Sequence, residues 1–287
     1  MQILLERLTK EQADTFGLVL LSSGIQHETR QGKKGWTLWV AEDRSEAAKG
    51  LLKTYLDENK AFKTSKEIPL TTYRKTWAGA WGVFVLLAWH VAITLGNDVG
   101  MFHRLYGSSA RHVVSGEWYR CATALLFHAD SVHLAGNIVG MAIFATAVCS
   151  ITGWGVGWFL ILASGISGNL INAYVYGYGH SSIGASTAVF GALGLLSSYQ
   201  FLKKIQTPST RFQALLPLGA GLALLAFLGS SSHTDIMAHL FGFLSGVLIG
   251  LVYYWFVRNP FGWRWQAGAL ASVIFVLLTA WFQPILT

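Results

Sequence analysis

Gly184-Ala185-Ser186-Thr187-Ala188-Val189-Phe190-Gly191-Ala192-Leu193-Gly194 opens an apolar run that reaches Leu202 without an Asp, Glu, Lys or Arg. The run is close to the roughly 20 residues that carry a helix across a ~30 Å hydrocarbon layer. A serine among small residues at the head of such a helix has two readings. Gly, Ala and Ser let helices approach closely, so Ser186 can be a packing residue. It can also be a nucleophile, which needs a close backbone and an unobstructed hydroxyl. The choice depends on whether a base and an oxyanion site arrive at the same depth.

Working outward, similar charge-free runs lie at Trp77–Leu95, His133–Ile151, Trp154–Ala173, Phe212–Gly229, Ile236–Val257 and Trp265–Gln283. With 53% hydrophobic and only 12% charged residues, the composition is that of a polytopic membrane protein. Seven transmembrane helices are predicted in an all-α membrane domain over 77–287, with its core at 77–257 and an extra C-terminal span at 265–283. Most of the 21 Lys and Arg precede Trp77, and Lys203, Lys204, Arg211, Arg258 and Arg264 fall on that same side of seven alternating spans. Positive charge marks the cytoplasmic side, so the N-terminus is expected inside and the C-terminus outside. The net charge of +7 therefore reads as topology, and no nucleic-acid partner is expected.

Residues 1–68 read as a small soluble α+β domain, joined by a linker over 69–76 that overlaps the basic stretch Lys60–Lys75. Met1–Lys75 lacks an early apolar core, so no cleavable signal peptide is expected. A helix is predicted over Lys10–Leu21 and two strands over Ile25–Gln31 and Trp36–Ala41. Asp43 and Glu46 have the spacing of a capping box for a further helix reaching Asn59.

The Gly96–Asp130 loop is too long for a bare connector, and its aromatics suit the membrane interface. No Cys/His spacing suggests a structural metal, Cys121 and Cys149 are not expected to pair, and no cofactor is expected. His133 and Asn137 are four residues apart and share one helix face. Gly136 and Gly140, and then Gly165 and Gly168, read as packing positions. Asp235-Ile236-Met237-Ala238-His239-Leu240-Phe241-Gly242 leads into the sixth run, in which His239 is the side chain that titrates near neutral pH and Gly242, Gly246 and Gly250 form a smooth ridge.

Depth connects these positions. At ~1.5 Å per helical residue, Ser186 lies roughly 25 Å from Lys203, and His239 roughly 28 Å from Arg258. Both sit just below the outer face of a ~30 Å layer, the face from which His133 and Asn137 enter. Four independent packing residues are not expected to share one thin layer.

The set resembles the rhomboid family of intramembrane serine proteases over roughly residues 74–257. Gly184-Ala185-Ser186 is similar to its GxS motif, and Ala238-His239 with Gly242 to its AHxxG. His128, His133 and Asn137 are similar to its HxxxxHxxxN pattern. Glu117-Trp118-Tyr119-Arg120 resembles its tryptophan–arginine motif. Thr187 departs from the glycine usual there. The resemblance implies a Ser186–His239 dyad, Phe190 packed on the His239 ring, and an oxyanion site from His133, Asn137 and the Ser186 N–H. Gly184, His128 and Gly242 would support it. Asp235 is read as structural. The implied substrates are single-span membrane proteins cut near their outer end, in a bacterial inner membrane. Two alternatives stand beside this reading: a catalytically inactive rhomboid-like binding or chaperone protein, and a cytochrome with His133 and His239 as axial ligands.

Overall fold

The computed structural model describes residues 1–32, 35–59, 74–96, 99–206, 211–228, 235–257 and 259–286. The chain divides into two compact units, Met1–Ile68 and Pro69–Thr287. Most of the expected linker, and Lys33 and Lys34 between the two expected strands, lie outside the described residues.

The first unit runs β1 (Gln2–Leu8), α1 (Lys10–Ser22), β2 (His27–Gly32), β3 (Gly35–Val40) and α2 (Ser45–Glu58). Its antiparallel sheet has the order β1-β3-β2. Leu4, Phe16, Leu20, Leu38, Val40, Ala48 and Leu52 fill one small core between sheet and helices. Strand β1 is an addition to the sequence reading. Its pairing shifts register between Ile3 and Leu5 and again before Leu8, which hides the alternation that marks a strand. The capping box also differs from expectation. It is formed by Thr9 and Gln12 at the head of α1. A 3-10 turn occupies Glu42–Arg44, so α2 begins at the buried Ser45 and Glu46 pairs with Lys49 instead.

The second unit is a helical bundle. Helix α3 (Ala78–Leu95) leads into a loop region with α4 (Val99–Tyr106), β4 (Ser108–Ser109), α5 (Ala110–Val114) and α6 (Arg120–Thr123). Then come α7 (Ser131–Thr152), α8 (Trp154–Tyr176), β5 (Ser181–Ser182) and α9 (Ser186–Ile205). The last three are α10 (Arg211–Leu228), α11 (Ile236–Phe256) and α12 (Trp263–Leu286). Helix α7 contains a π turn at Met141–Ala145. Gly153, at φ +95°, makes the sharp break between α7 and α8, a conformation that suits glycine.

Five of these helices, α3, α7, α8, α11 and α12, are long and apolar enough to cross a membrane. Among the described residues, each of the seven predicted apolar runs is helical over most of its length, but α9 and α10 fall outside that group. Helix α10 is apolar over the shorter stretch Phe212–Phe227. Helix α9 carries Ser197, Ser198, Tyr199 and Gln200, and is buried from Thr187 through Leu195. A helix shielded from lipid by its neighbours does not need an apolar surface. The protein is thus a multi-pass integral membrane protein with a small α+β unit at its N-terminal end.

Helix α9 is central because its neighbours reach its backbone. A Cβ at Gly246 of α11 would run into the Gly191 carbonyl, and one at Gly194 into that of Phe243. Gly165 of α8 lies against Ala188, and Gly168 against Gly242. Gly140 of α7 packs on Val189, whereas a Cβ at Gly136 would meet open space. Only the second of that pair is a contact glycine.

Candidate active site

Ser186 is the first residue of α9, and the turn that delivers it is held from two sides. Gly184 N–H donates to the Ala124 carbonyl at 2.9 Å. Ala185 N–H donates to His128 Nε2 at 3.4 Å. His128 is buried, which with the nearby His133 ring pushes its pKa down to about 3. A neutral ring is what this acceptor role requires. Gly184 itself has φ +132°. A Cβ there would also lie 2.6 Å from His133 Cε1 and 3.4 Å from Ser186 Oγ. The position thus demands glycine on both conformational and steric grounds.

His239 comes from the first turn of α11. The Asp235 side chain caps that helix by accepting from Ala238 N–H at 3.0 Å, and His239 N–H reaches the Asp235 carbonyl at 3.1 Å. His239 Nε2 lies 2.8 Å from Ser186 Oγ. With the ring proton on Nδ1, the hydroxyl donates to Nε2, the geometry of a nucleophile and its base. The Phe190 ring packs on the imidazole, with centroids 4.6 Å apart and planes 34° from parallel. Thr187 is buried, and its methyl group fills the slot between Gly168 and Gly242. The residue after the serine therefore faces the helix junction.

The third wall is α7, capped by Asp130, whose side chain accepts from His133 N–H at 2.8 Å. Among the described residues, the buried His133 Nε2 has no hydrogen-bond partner. Its ring centroid is 5.3 Å from that of His128. Asn137 is buried, and its Nδ2 donates to the His133 carbonyl at 3.0 Å. One of its two amide hydrogens is therefore engaged within its own helix.

The loop before α7 is braced by the buried Arg120. Its Nε donates to Glu117 Oε2 at 2.7 Å, and its Nη1 to the carbonyls of Arg104 at 2.7 Å and Gly107 at 3.2 Å. Burial pushes the Glu117 carboxyl upward, but the donors Arg120 and Tyr119 outweigh it and hold the pKa below the usual value. Trp118 is exposed. Among the described residues, no group of three His, Cys, Asp or Glu gathers as a metal site.

A rhomboid domain is recognised over residues 115–256, the stretch that contains Arg120, His128, His133, Asn137, Ser186 and His239. The chain belongs to the rhomboid family. YdcA, a rhomboid of Bacillus subtilis, is 29% identical over 140 residues, covering 49% of this chain and 69% of that protein. Rhomboid protease GluP of the same organism is 30% identical over 176 residues, covering 59% of this rhomboid and 32% of the relative. Inactive rhomboid protein 2 of Homo sapiens is 26% identical over 174 residues, covering 60% and 20%. This rhomboid thus spans a third or less of the length of the last two.

The polar cluster that sequence reasoning missed lies beside Ser186 and His239. Asp235 Oδ2 receives Asn172 Nδ2 at 2.8 Å and His180 Nε2 at 2.6 Å. Asn172 and His180 carried no spacing signal, because both reach Asp235 from more than 50 residues away.

Proposed function

We propose that this rhomboid is a serine endopeptidase that cuts single-span membrane proteins in or near their transmembrane segment. The observation that carries the reading is the 2.8 Å approach of His239 Nε2 to Ser186 Oγ. Ser186 Oγ attacks the scissile carbonyl carbon while His239 Nε2 takes the hydroxyl proton. The tetrahedral intermediate expels the leaving amine, which receives that proton from His239. Water then adds to the acyl-enzyme by the same exchange and restores Ser186.

Charge that develops on the carbonyl oxygen needs donors more effective in the transition state than before it. The Ser186 N–H opens a helix and has no acceptor within it. The His133 ring supplies a second donor, a role favoured by its unpartnered Nε2 beside Gly184. The remaining amide hydrogen of Asn137 supplies a third. Phe190 orients the base, while Gly184, His128 and Gly242 hold the approach. The substrate must unwind at the cut, since a helical backbone hides its carbonyls in hydrogen bonds.

The same reading takes seven helices as spans. It places residues 1–68 as a separate cytoplasmic domain and the dyad toward the external face of a bacterial inner membrane, following the Lys/Arg asymmetry. The test is purified protein with a candidate single-span substrate. Ser186→Ala and His239→Ala are each expected to reduce cleavage and fluorophosphonate labelling to background, and the double variant to be no worse. Asn137→Ala and His133→Ala are expected to lower kcat by about 10²–10³. Cleavage that persists in Ser186→Ala overturns the serine mechanism. The likeness to Inactive rhomboid protein 2 supports the second reading, a binding protein; a folded wild type that neither labels nor cleaves would favour it.

A further inference from the structure

Ser186 and His239 stand at the heads of two helices that meet along glycines. Such a seam sets how close the helices come. Polar contacts at the two helix heads add to what sets their register. Asp235 lies one turn before His239, and its carboxylate is engaged by three segments. Oδ1 accepts from Ala238 N–H at 3.0 Å, at the head of α11. Oδ2 accepts from Asn172 Nδ2 at 2.8 Å, near the end of α8, and from His180 Nε2 at 2.6 Å, in the segment that leads to Ser186. Ser182 of that segment also donates to it.

The segment bearing His180 is well tied. The imidazole stacks on Tyr176 with centroids 4.0 Å apart, and Ser182 pairs with Ser108 across β4 and β5. From Ser182 only Ile183, Gly184 and Ala185 intervene before Ser186. The result is a closed ring. It runs from Ser186 to His239, back one turn to Asp235, across to His180, and along β5 and Gly184 to Ser186 again. Two side-chain contacts close it, Ser186–His239 and Asp235–His180. The geometry points to Asp235, acting through His180, as the positioning residue that sets the Ser186–His239 distance.

This is not the third member of a triad, since both carboxylate oxygens are engaged by Ala238, Asn172 and His180. Burial alone raises the Asp235 pKa, but the Ala238 N–H and the His180 contact outweigh it and hold the pKa below the usual value. The group thus stays a carboxylate in this half-buried place. The role rests on the protease reading, because the dyad is what it positions.

The test uses the full chain in detergent with a single-span substrate and a fluorophosphonate. Asp235→Asn keeps the shape and an oxygen acceptor for Ala238, but puts an NH₂ donor where His180 and Asn172 need an acceptor. His180→Ala removes the other partner, and His180→Gln restores an N–H donor. Asp235→Asn and His180→Ala are each expected to lower kcat and the labelling rate about 10- to 100-fold, the scale of an ångström-sized misplacement. KM is expected to stay within about twofold, because the lost interaction acts only on the chemical step. The double variant should be no worse than the poorer single one, and His180→Gln should regain most of the loss. Losses that multiply in the double variant, or kcat per folded molecule that stays intact while the melting temperature drops, overturn the inference and leave the protease reading standing. A wild type that neither labels nor cleaves overturns both.

Discussion

Helices α9 and α11 meet backbone to backbone along a row of glycines, whereas α12 meets the backbone of α8 at Gly155 and is otherwise anchored through the side chains of Gln266 and Trp281. In the first contact, Gly194 of α9 and Gly242 and Gly246 of α11 leave no room for a Cβ. In the second, the buried Gln266 of α12 accepts from Gly155 N–H and Val156 N–H at 2.9 Å each and donates to the Thr152 carbonyl at 3.0 Å. It thereby satisfies the orphan donors that open α8. At the other end of α12, Trp281 stacks on Tyr106 with centroids 4.2 Å apart and planes 7° from parallel. Side chains have rotamers and can adjust, but two backbones in contact cannot. The stiff contact carries Ser186 and His239 at its head, and the adjustable one carries neither.

The largest expected effect that tests this contrast is Gly242→Ala. Its Cβ would run into the carbonyl of Thr187, the residue after the proposed nucleophile. Neither helix can yield locally, so the heads separate and kcat falls by about 10²-fold or more, with a lower melting temperature. An activity within a few-fold of wild type would break the comparison, since the seam would then tolerate displacement.

Gln266→Leu comes next and should act on the other property. It leaves the α8 N–H groups unpaired, each at a cost of roughly 1–3 kcal/mol. The expected outcome is a lower melting temperature in detergent, with kcat per folded molecule within about twofold of wild type. A loss of kcat as large as that of Gly242→Ala would show that α12 sets the dyad as well. The smallest effect is expected from Trp281→Phe, which keeps a ring to stack on Tyr106. Aromatic pairs contribute about 0.5–1.5 kcal/mol beyond their buried area, and only part of that is removed. A thermal shift assay beside Gln266→Leu ranks the two anchors.

The contrast also explains which features could be read before the fold was known. Apolar runs of span length are legible because the bilayer imposes a length on any crossing helix. The glycine ridge of α11 is legible because its spacing is that of one helix face. Anchors such as Gln266 are not. A glutamine near the head of an apolar helix carries no sign of the partner it meets more than 100 residues away. The bulged strand β1 was illegible for another reason, since two register shifts erase its period of two. At Asp43, a capping pattern was present but unused, because a 3-10 turn moved the helix start to Ser45.

The sequence by itself determined that this is a multi-pass helical membrane protein. It also led to the expectation that Ser186, His239, His133 and Asn137 share one depth, because helical rise turns residue number into height. Height along separate helices says nothing about lateral distance. Only the tertiary structure decided that Ser186 Oγ and His239 Nε2 meet at 2.8 Å, and that Thr187 points into the slot between Gly168 and Gly242. It also decided that Asp235 engages His180 and Asn172. Those facts depend on which helix faces pack together, and packing joins residues that no local pattern relates.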